Sequence, residues 1–449
     1  MGERGDGLGD WRHVEFWQVL LIYGLLVSSS FAVAGMEFFT ILLMAVAIAV
    51  WLRRRPPLAL PRWLPAPFVL IALWALIVML LNPQPLRTLS HMAPEYRLFA
   101  PFAIVPALLL IRPRRALATY GIGMALWALY GVVQYELGVD WFRAGADKLI
   151  RPYAGTGNFH AMGYFTHHLT FAGVMLMQVP LFLALGISER SRWRWLWFTV
   201  GVLTWVGLLV SLGRSAWLGS LVGMGVLIFM LPRRWWIALL GVGLAGVVAL
   251  SVLLSDDALH SGERIPGVPG IVNRALQTSI GRDKDRLYLW EAAWLGIREH
   301  PWIGVGLGNE RYTYEAYRQV VSARHDGYTF TNRASAGIHN IYLHVAYTLG
   351  WPGLALYLAL HVVVAWWCVR GIRAARGDFP LERGLLWGAL GGLAGLAAAS
   401  AFQNYFLDAE VQNAIVITMA LALYAGRRIV GGSAAAGSAD PPGGASDAN

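Results

Sequence analysis

The sequence predicts an all-α polytopic membrane protein with about twelve transmembrane helices and one large extracytoplasmic loop. Three observations predict it. Of the 449 residues, 57% are hydrophobic and only 14% charged, against about 25% charged in an average soluble domain. The apolar residues fall in runs close to the roughly 20 residues that cross a bilayer as a helix. Basic residues gather at alternate turns between those runs, and short basic loops stay in the cytoplasm. The 21 Trp suit a chain with many membrane–water interfaces, and the composition argues against a soluble multidomain enzyme.

In order, the runs cover 15–33, 37–52, 66–82, 97–111, 116–137, 167–187, 195–212, 215–231, 235–254, 351–369, 384–402 and 411–426. The basic clusters are Arg53–Arg55, Arg112/Arg114/Arg115, Arg190/Arg192/Arg194, Arg233/Arg234, Arg370/Arg373/Arg376 and Arg427/Arg428. With alternating spans all six fall on one side, which places both termini in the cytoplasm. The net charge of +10 is then mostly a topology signal, and nucleic acid is not needed to explain it. No cleavable signal pattern is visible, so the first run itself is expected to direct insertion. The single cysteine, Cys368, excludes an intrachain disulfide and reads as a buried thiol.

The chain thus divides into spans 1–9 over residues 1–254, a large loop over 255–338, a re-entry segment with three further spans over 339–428, and a tail over 429–449. The tail is rich in Gly, Ala, Ser and Pro and is expected to be disordered. No internal repeat is visible. The opposite side carries the long segments, 138–166 and the large loop with its ten Lys and Arg. Long translocated segments escape the charge rule. Within the large loop, "DRLYLWEAAWLGIREHP" spaces Leu287, Trp290, Trp294 and Ile297 as an amphipathic helix, lying on the membrane surface or on the bundle and ending before Pro301. "GVGLGNE" follows as a glycine turn, with Asn309 as the expected N-cap of a helix near 310–322.

His339 then stands at the extracytoplasmic mouth of the re-entry segment. Residues 338–350 are too short to span, and "GWPG" interrupts the helix after them. A broken helix at membrane depth needs protein or a cavity around it. A histidine there suits proton transfer near neutrality; an interfacial histidine making one hydrogen bond is the plainer alternative. Arg214, in the very short turn "SLGRSAW", reads most simply as snorkelling to headgroups. Arg286 opens the amphipathic helix, where a cation is electrostatically poor, which hints at an anionic partner. Two fixed arginines at a cavity mouth suit a diphosphate, gripped bidentately. Asp283 and Asp285 form a D-x-D string of the kind that can hold a divalent ion, but a solvated loop is the better reading. "GVGLG" lacks the preceding strand of a phosphate loop and faces a compartment without nucleotide. His160, His167 and His168 lack metal-site spacing, so loop packing or acceptor contact is preferred to zinc.

At these residues the chain resembles the O-antigen ligases and their oligosaccharyltransferase relatives. "HNIYLHVAYTLGWPG" fits the family pattern H-[N/S/Q]-x9-G-x-x-[G/T/Y], with His339, Asn340, Gly350 and Gly353 at its marked positions. "SLGRSAW" resembles the family's arginine turn and "DRLYLWEAAWLGIREHPWIGVGLGN" its loop segment. The resemblance covers roughly residues 100–430. It implies a GT-C-like glycosyltransferase of the bacterial inner membrane, with its active site at the periplasmic face. The donor would be a glycan on undecaprenyl diphosphate and the acceptor the lipid A–core oligosaccharide. His339 would be the base and Arg214 and Arg286 the diphosphate ligands. Asn340, Arg333, Arg151 and His168 would be supporting residues. No cofactor, metal or nucleotide would be required.

The physical reading agrees with this. A membrane cavity would bring two lipid substrates together, and a single in-line attack would invert the anomeric centre. An O-antigen polymerase shares the chemistry with a different acceptor and is the first alternative. A lipid or polysaccharide transporter is the second, weakened by the lack of inverted repeats. The short tail argues against a larger protein-glycosylating relative.

Overall fold

The structure is a computed structural model that describes residues 9–31, 33–54, 60–61, 63–143, 150–153, 157–233, 280–330, 337–375 and 379–437. Helices run in the order α1 (Gly9–Phe31), α2 (Val33–Arg54), α3 (Ala66–Leu81), α4 (Pro85–Met92), α5 (Ala100–Leu109), α6 (Pro113–Leu137), α7 (His168–Ser188), α8 (Trp193–Val210), α9 (Arg214–Leu227), α10 (Ile280–Glu299), α11 (Glu310–Arg324), α12 (Ile341–Ala374), α13 (Pro380–Ser400) and α14 (Ala409–Gly437). A two-residue hairpin, Pro152–Tyr153 against Asn158–Phe159, is the strand content of the described residues. Seven of these helices are long and apolar enough to cross a membrane, and Ala66–Leu81 and Arg214–Met230 are shorter apolar helices. The chain is an all-α polytopic membrane protein.

Every expected crossing within the described residues is helical. The ninth, at 235–254, lies outside them, as do residues 255–279 of the large loop. The crossing expected at 97–111 is divided into a 3-10 segment, Ala93–Phe99, and α5; Pro101 favours a fresh helix start there. The last helix runs to Gly437, into the stretch expected to be disordered, because the alanines before Pro441 favour helix. Arg114 pairs with Glu189 (2.9 Å) and Arg428 with Glu382 (3.6 Å), and Arg114, Glu382 and Arg428 all act on Tyr424. These basic clusters therefore share one end of the bundle.

Small residues fix the centre. α13 lies between α7 and α9. A Cβ added at Gly219 would meet the carbonyl oxygen of Gly395 at 2.5 Å, and one at Gly223 that of Gly391 at 2.7 Å. Only glycine lets two membrane helices approach this closely, and both helices carry the small-xxx-small spacing that does so. The crossing sets α9, which Arg214 begins, against α13, which leads to the turn at 401–408.

α12 is two helical pieces joined at Gly350, where φ is +70°, a left-handed value that favours glycine. The break frees carbonyls that a straight helix would use internally. The 301–306 turn takes them: Val305 N donates to Tyr347 O and Gly306 N to Thr348 O, both at 2.9 Å, while the Trp74 indole donates to Leu349 O at 2.8 Å. Backbone polar groups are thus satisfied inside the protein, as membrane depth demands.

α10 and α11 pack over this end. Leu289, Ala292, Ala293 and Ile297 form the buried stripe of α10 against Tyr314, Val321 and Tyr347. The expected helix is present, but its expected face is only partly right. Leu287 (57% exposed) and Trp294 (44% exposed) point away from the protein core, on a surface that lipid or headgroups can cover. Asn309 does hold the N-cap position of α11 but makes no cap bond. Its amide instead reaches Asn82 Oδ1 (3.0 Å), Thr88 Oγ1 (3.2 Å) and Val305 O (3.0 Å), tying the cap to α4.

Candidate active site

The site is built from five chain segments that meet at the capped end. His339 directly precedes α12 with φ at +49°, a left-handed conformation uncommon outside glycine though less so for histidine. Asn340 is the N-cap: its Oδ1 accepts from Leu343 N at 3.1 Å. That bond anchors the first turn and so sets where the preceding imidazole stands. The Nδ1 of His339 lies 3.0 Å from Gln403 Oε1. An amide oxygen only accepts, so Nδ1 carries the hydrogen and Nε2 the lone pair. Burial lowers the pKa of His339, the Gln403 bond works against that, and the positive charge of Arg286 adds to the lowering. The ring is therefore neutral near pH 7, in the form that accepts a proton.

Gln403 belongs to the turn between α13 and α14. The same turn brings Tyr405, whose hydroxyl is 2.9 Å from Ser215 Oγ, and Asp408, whose Oδ2 accepts from Thr170 Oγ1 at 3.0 Å. Burial pushes the Asp408 carboxyl up to about 6, against the Thr170 bond. Tyr405 also feels the charge of Arg286. Ser215 follows Arg214, the first residue of α9. His339, Arg286 and Arg214 are thereby linked through one turn, Arg286 by its field on His339 and Tyr405, Arg214 through its neighbour's bond to Tyr405.

The turn that presents Arg214 is fixed several times over. Ser211 Oγ donates to Leu208 O (2.6 Å) and accepts from Gly213 N (3.2 Å), and Leu212 has φ at +58°. His168 Nδ1 donates to Ser211 O at 3.0 Å. His168 thus supports the turn that carries Arg214. Arg286 is not at a helix start: α10 begins at Ile280, so the helix-end argument for an anionic partner fails, although the residue lies in the cluster. Arg151 is exposed, and its charge reaches His167, whose pKa is lowered first by burial and then by Arg151. It stands at the edge of the histidine row beside the site. Arg333 lies outside the described residues. Asp285 accepts from Tyr328 Oη at 2.6 Å, which holds α10 to the chain after α11, and the Asp283 side chain lies outside the described residues.

Gln403, Tyr405, Asp408 and Ser215 escape the sequence reading. The signal was the polar island in "AFQNYFLDAE" between two apolar runs. Beside the cluster, two buried polar atoms have no hydrogen-bond partner among the described residues: the Trp290 indole Nε1 and Asn404 Oδ1. Trp290 stands one turn beyond Arg286, its ring 6.2 Å from that of Phe402. Leaving such groups unmet costs about 1–3 kcal/mol each, so they suit a polar ligand. The first half of α12 also borders an apolar cavity of about 340 Å³, lined among others by Ile71, Phe99, Ile341, Val345 and Phe406. Glu95 is the one carboxyl group on its wall, and burial raises its pKa to about 7 against hydrogen bonding from Gln412 and the charge of Arg97.

Residues 199–358 match the family model described as O-antigen ligase. That segment contains Arg214, Arg286 and His339. Over 199 residues the chain is 26% identical to the O-antigen ligase of Salmonella typhimurium strain LT2. The match takes in 43% of this chain and 45% of that protein, so the chain spans less than half the length of the curated relative it matches. The resemblance read from the three motifs is borne out.

Proposed function

We propose that the chain is a membrane glycosyltransferase that moves an O-antigen glycan from undecaprenyl diphosphate to the lipid A–core oligosaccharide. The observation that carries this is the convergence of a neutral histidine and two arginines within the segment matched by the O-antigen ligase family. The site faces the periplasm in this reading, with twelve crossings of the inner membrane and both termini in the cytoplasm. The shared end of the basic clusters supports that orientation.

The acceptor hydroxyl attacks the anomeric carbon of the donor. As the new C–O bond forms, the bond to the diphosphate oxygen breaks and its electron pair leaves with undecaprenyl diphosphate. Nε2 of His339 takes the hydroxyl proton. Arg214 and Arg286 hold the diphosphate and stabilise the charge that grows on it. One displacement inverts the anomeric centre. The apolar cavity beside α12 offers room for lipid chains, and the orphan Trp290 and Asn404 atoms suit sugar hydroxyls.

The test uses purified protein, lipid-linked glycan and acceptor lipid, with excess EDTA and no nucleotide. Transfer to lipid A–core is expected, because the diphosphate ester already carries its activation and fixed guanidinium groups can replace a metal. Transfer only onto a second lipid-linked repeat would make the protein a polymerase. Activity that collapses in EDTA and returns with magnesium or manganese would overturn the metal-free mechanism and bring Asp283 and Asp285 forward as ligands.

A further inference from the structure

A second pocket lies at the same end of the bundle, and the mechanism above does not use it. Its volume is about 250 Å³, and it is bounded by Ser28, Ser29, Arg143, Tyr164, Thr166 and Glu410 among others. Three chain segments that are distant in sequence form it: the junction of α1 and α2, the loop before α7, and the first turn of α14.

Its polar groups are arranged to accept hydrogen bonds. Ser28 and Ser29 both donate their hydroxyl protons to Leu25 O, at 3.1 and 2.6 Å, and Ser29 Oγ also accepts from Asn413 Nδ2 at 2.8 Å. Their remaining lone pairs are what they can offer a ligand. Arg143 is held by Asp140 Oδ2 (2.9 Å) and by Phe165 O (3.0 Å), so its charge is matched and its position fixed. No side-chain hydrogen bond or ion pair to Glu410 is present among the described residues. Glu410 stands in the first turn of α14, where the helix N-terminus favours a negative charge. Tyr164 supplies an aromatic wall, its ring 5.1 Å from Trp127.

Two of the segments that bound the pocket continue into the candidate active site. Thr166 lies two residues before His168, which holds the Arg214 turn, and Glu410 two residues after Asp408, which Thr170 holds across the same gap. We propose that this pocket binds one sugar ring of a transferred or receiving glycan, with Glu410 accepting hydrogen bonds from ring hydroxyls and Tyr164 covering an apolar ring face. The carboxylate and hydroxyl oxygens match ring hydroxyls, and the apolar part of the wall, with Phe31, Val33 and Met36, matches the apolar face of a sugar ring. The volume falls just below the roughly 300 Å³ at which drug-sized pockets begin, which suits a single ring. The proposal rests on the glycan-transfer reading and names where one of its substrates is recognised.

The test is a binding measurement and needs no turnover. Two free glycans serve as probes: core oligosaccharide stripped of lipid A, and O-antigen repeat released from its diphosphate. Saturation-transfer NMR on the purified full-length protein gives the affinity of each. Glu410→Gln, which keeps shape and removes charge, is expected to weaken one glycan about tenfold or more. Ala34→Trp, at an exposed position on the pocket wall, is expected to block the same glycan. The glycan affected tells whether the ring belongs to donor or acceptor. Wild-type affinity for both glycans in both variants overturns the proposal, as does failure of the wild type to bind either. A protein that binds through Glu410 but transfers nothing would remove the ligase reading and leave this site standing.

Discussion

Nδ1 of His339 donates to Oε1 of Gln403 across 3.0 Å, joining positions 64 residues apart. The bond selects the imidazole tautomer that exposes a basic Nε2. It also couples the residue before α12 to the turn after α13, so the imidazole is held between two helices.

His339→Ala is expected to leave a folded protein that binds the donor lipid and has lost transfer by roughly a hundred- to ten-thousand-fold. Donor binding and single-turnover transfer on the purified variant check this. Transfer at the wild-type rate would remove His339 from the mechanism.

Gln403→Leu removes the one contact that raises the His339 pKa. The folded-state pKa already lies below 6.5 through burial, so the acidic limb of the rate profile is expected below pH 6.5, with activity falling as pH drops through it. In the variant the limb should move to still lower pH. The rate on the plateau should fall about tenfold or more, because the tautomer is no longer fixed. A pH–rate profile with an unmoved limb and plateau would exclude this role.

Arg214→Ala and Arg286→Ala are expected to weaken donor binding as well as turnover, because the diphosphate is charged before and after the bond breaks. Lys at either position should restore only part of the loss, since a point charge cannot reproduce the planar fork. Unchanged donor affinity in both Ala variants would place the diphosphate elsewhere, with Arg151 and Arg333 next to be tested.

Glu95 has its folded pKa raised from 4.5 to about 7 by burial. The folded state therefore holds this proton more tightly than the unfolded chain. Its stability contribution is greatest below pH 4.5 and is lost as pH rises to about 7. Glu95→Gln should melt at a higher temperature than wild type at pH 8, with the gap closing toward pH 5. The penalty removed is up to about 3 kcal/mol. Equal melting temperatures at pH 8 would show that the carboxylate is already satisfied there.

The fold was largely legible because its signals are local. Apolar run length and basic turns mark the spans, and Gly350 with Pro352 marks the broken helix at any level of description. The candidate site was half legible. His339 and Arg214 stand out as polar residues beside apolar runs, and Arg286 stands at the head of the apolar spacing Leu287, Trp290, Trp294 and Ile297. Gln403 does not, because its importance comes from a partner in a distant segment. The α10 stripe left two placements open for a physical reason: Leu287 and Trp294 are as apolar as Leu289 and Ile297, and hydrophobicity alone does not tell a protein-facing side chain from a lipid-facing one. Asn309 holds the N-cap position it was expected to hold, while the contacts of its amide nitrogen with Asn82 and Thr88 lie beyond any local signal.

The broken helix at Gly350 carries one further consequence. The bonds from Val305 and Gly306 to Tyr347 and Thr348 run between main-chain atoms. They depend on side-chain identity only at the seam itself, where a Cβ at Gly304 would meet Thr348 C at 2.5 Å and one at Gly350 would meet Trp302 O closer still. With those glycines kept, the exposed faces of α10 and α11 can change while their seating on the bundle stays the same. Variation on that surface and constancy in where it is presented become separable traits, and the seam between them is a few peptide groups long.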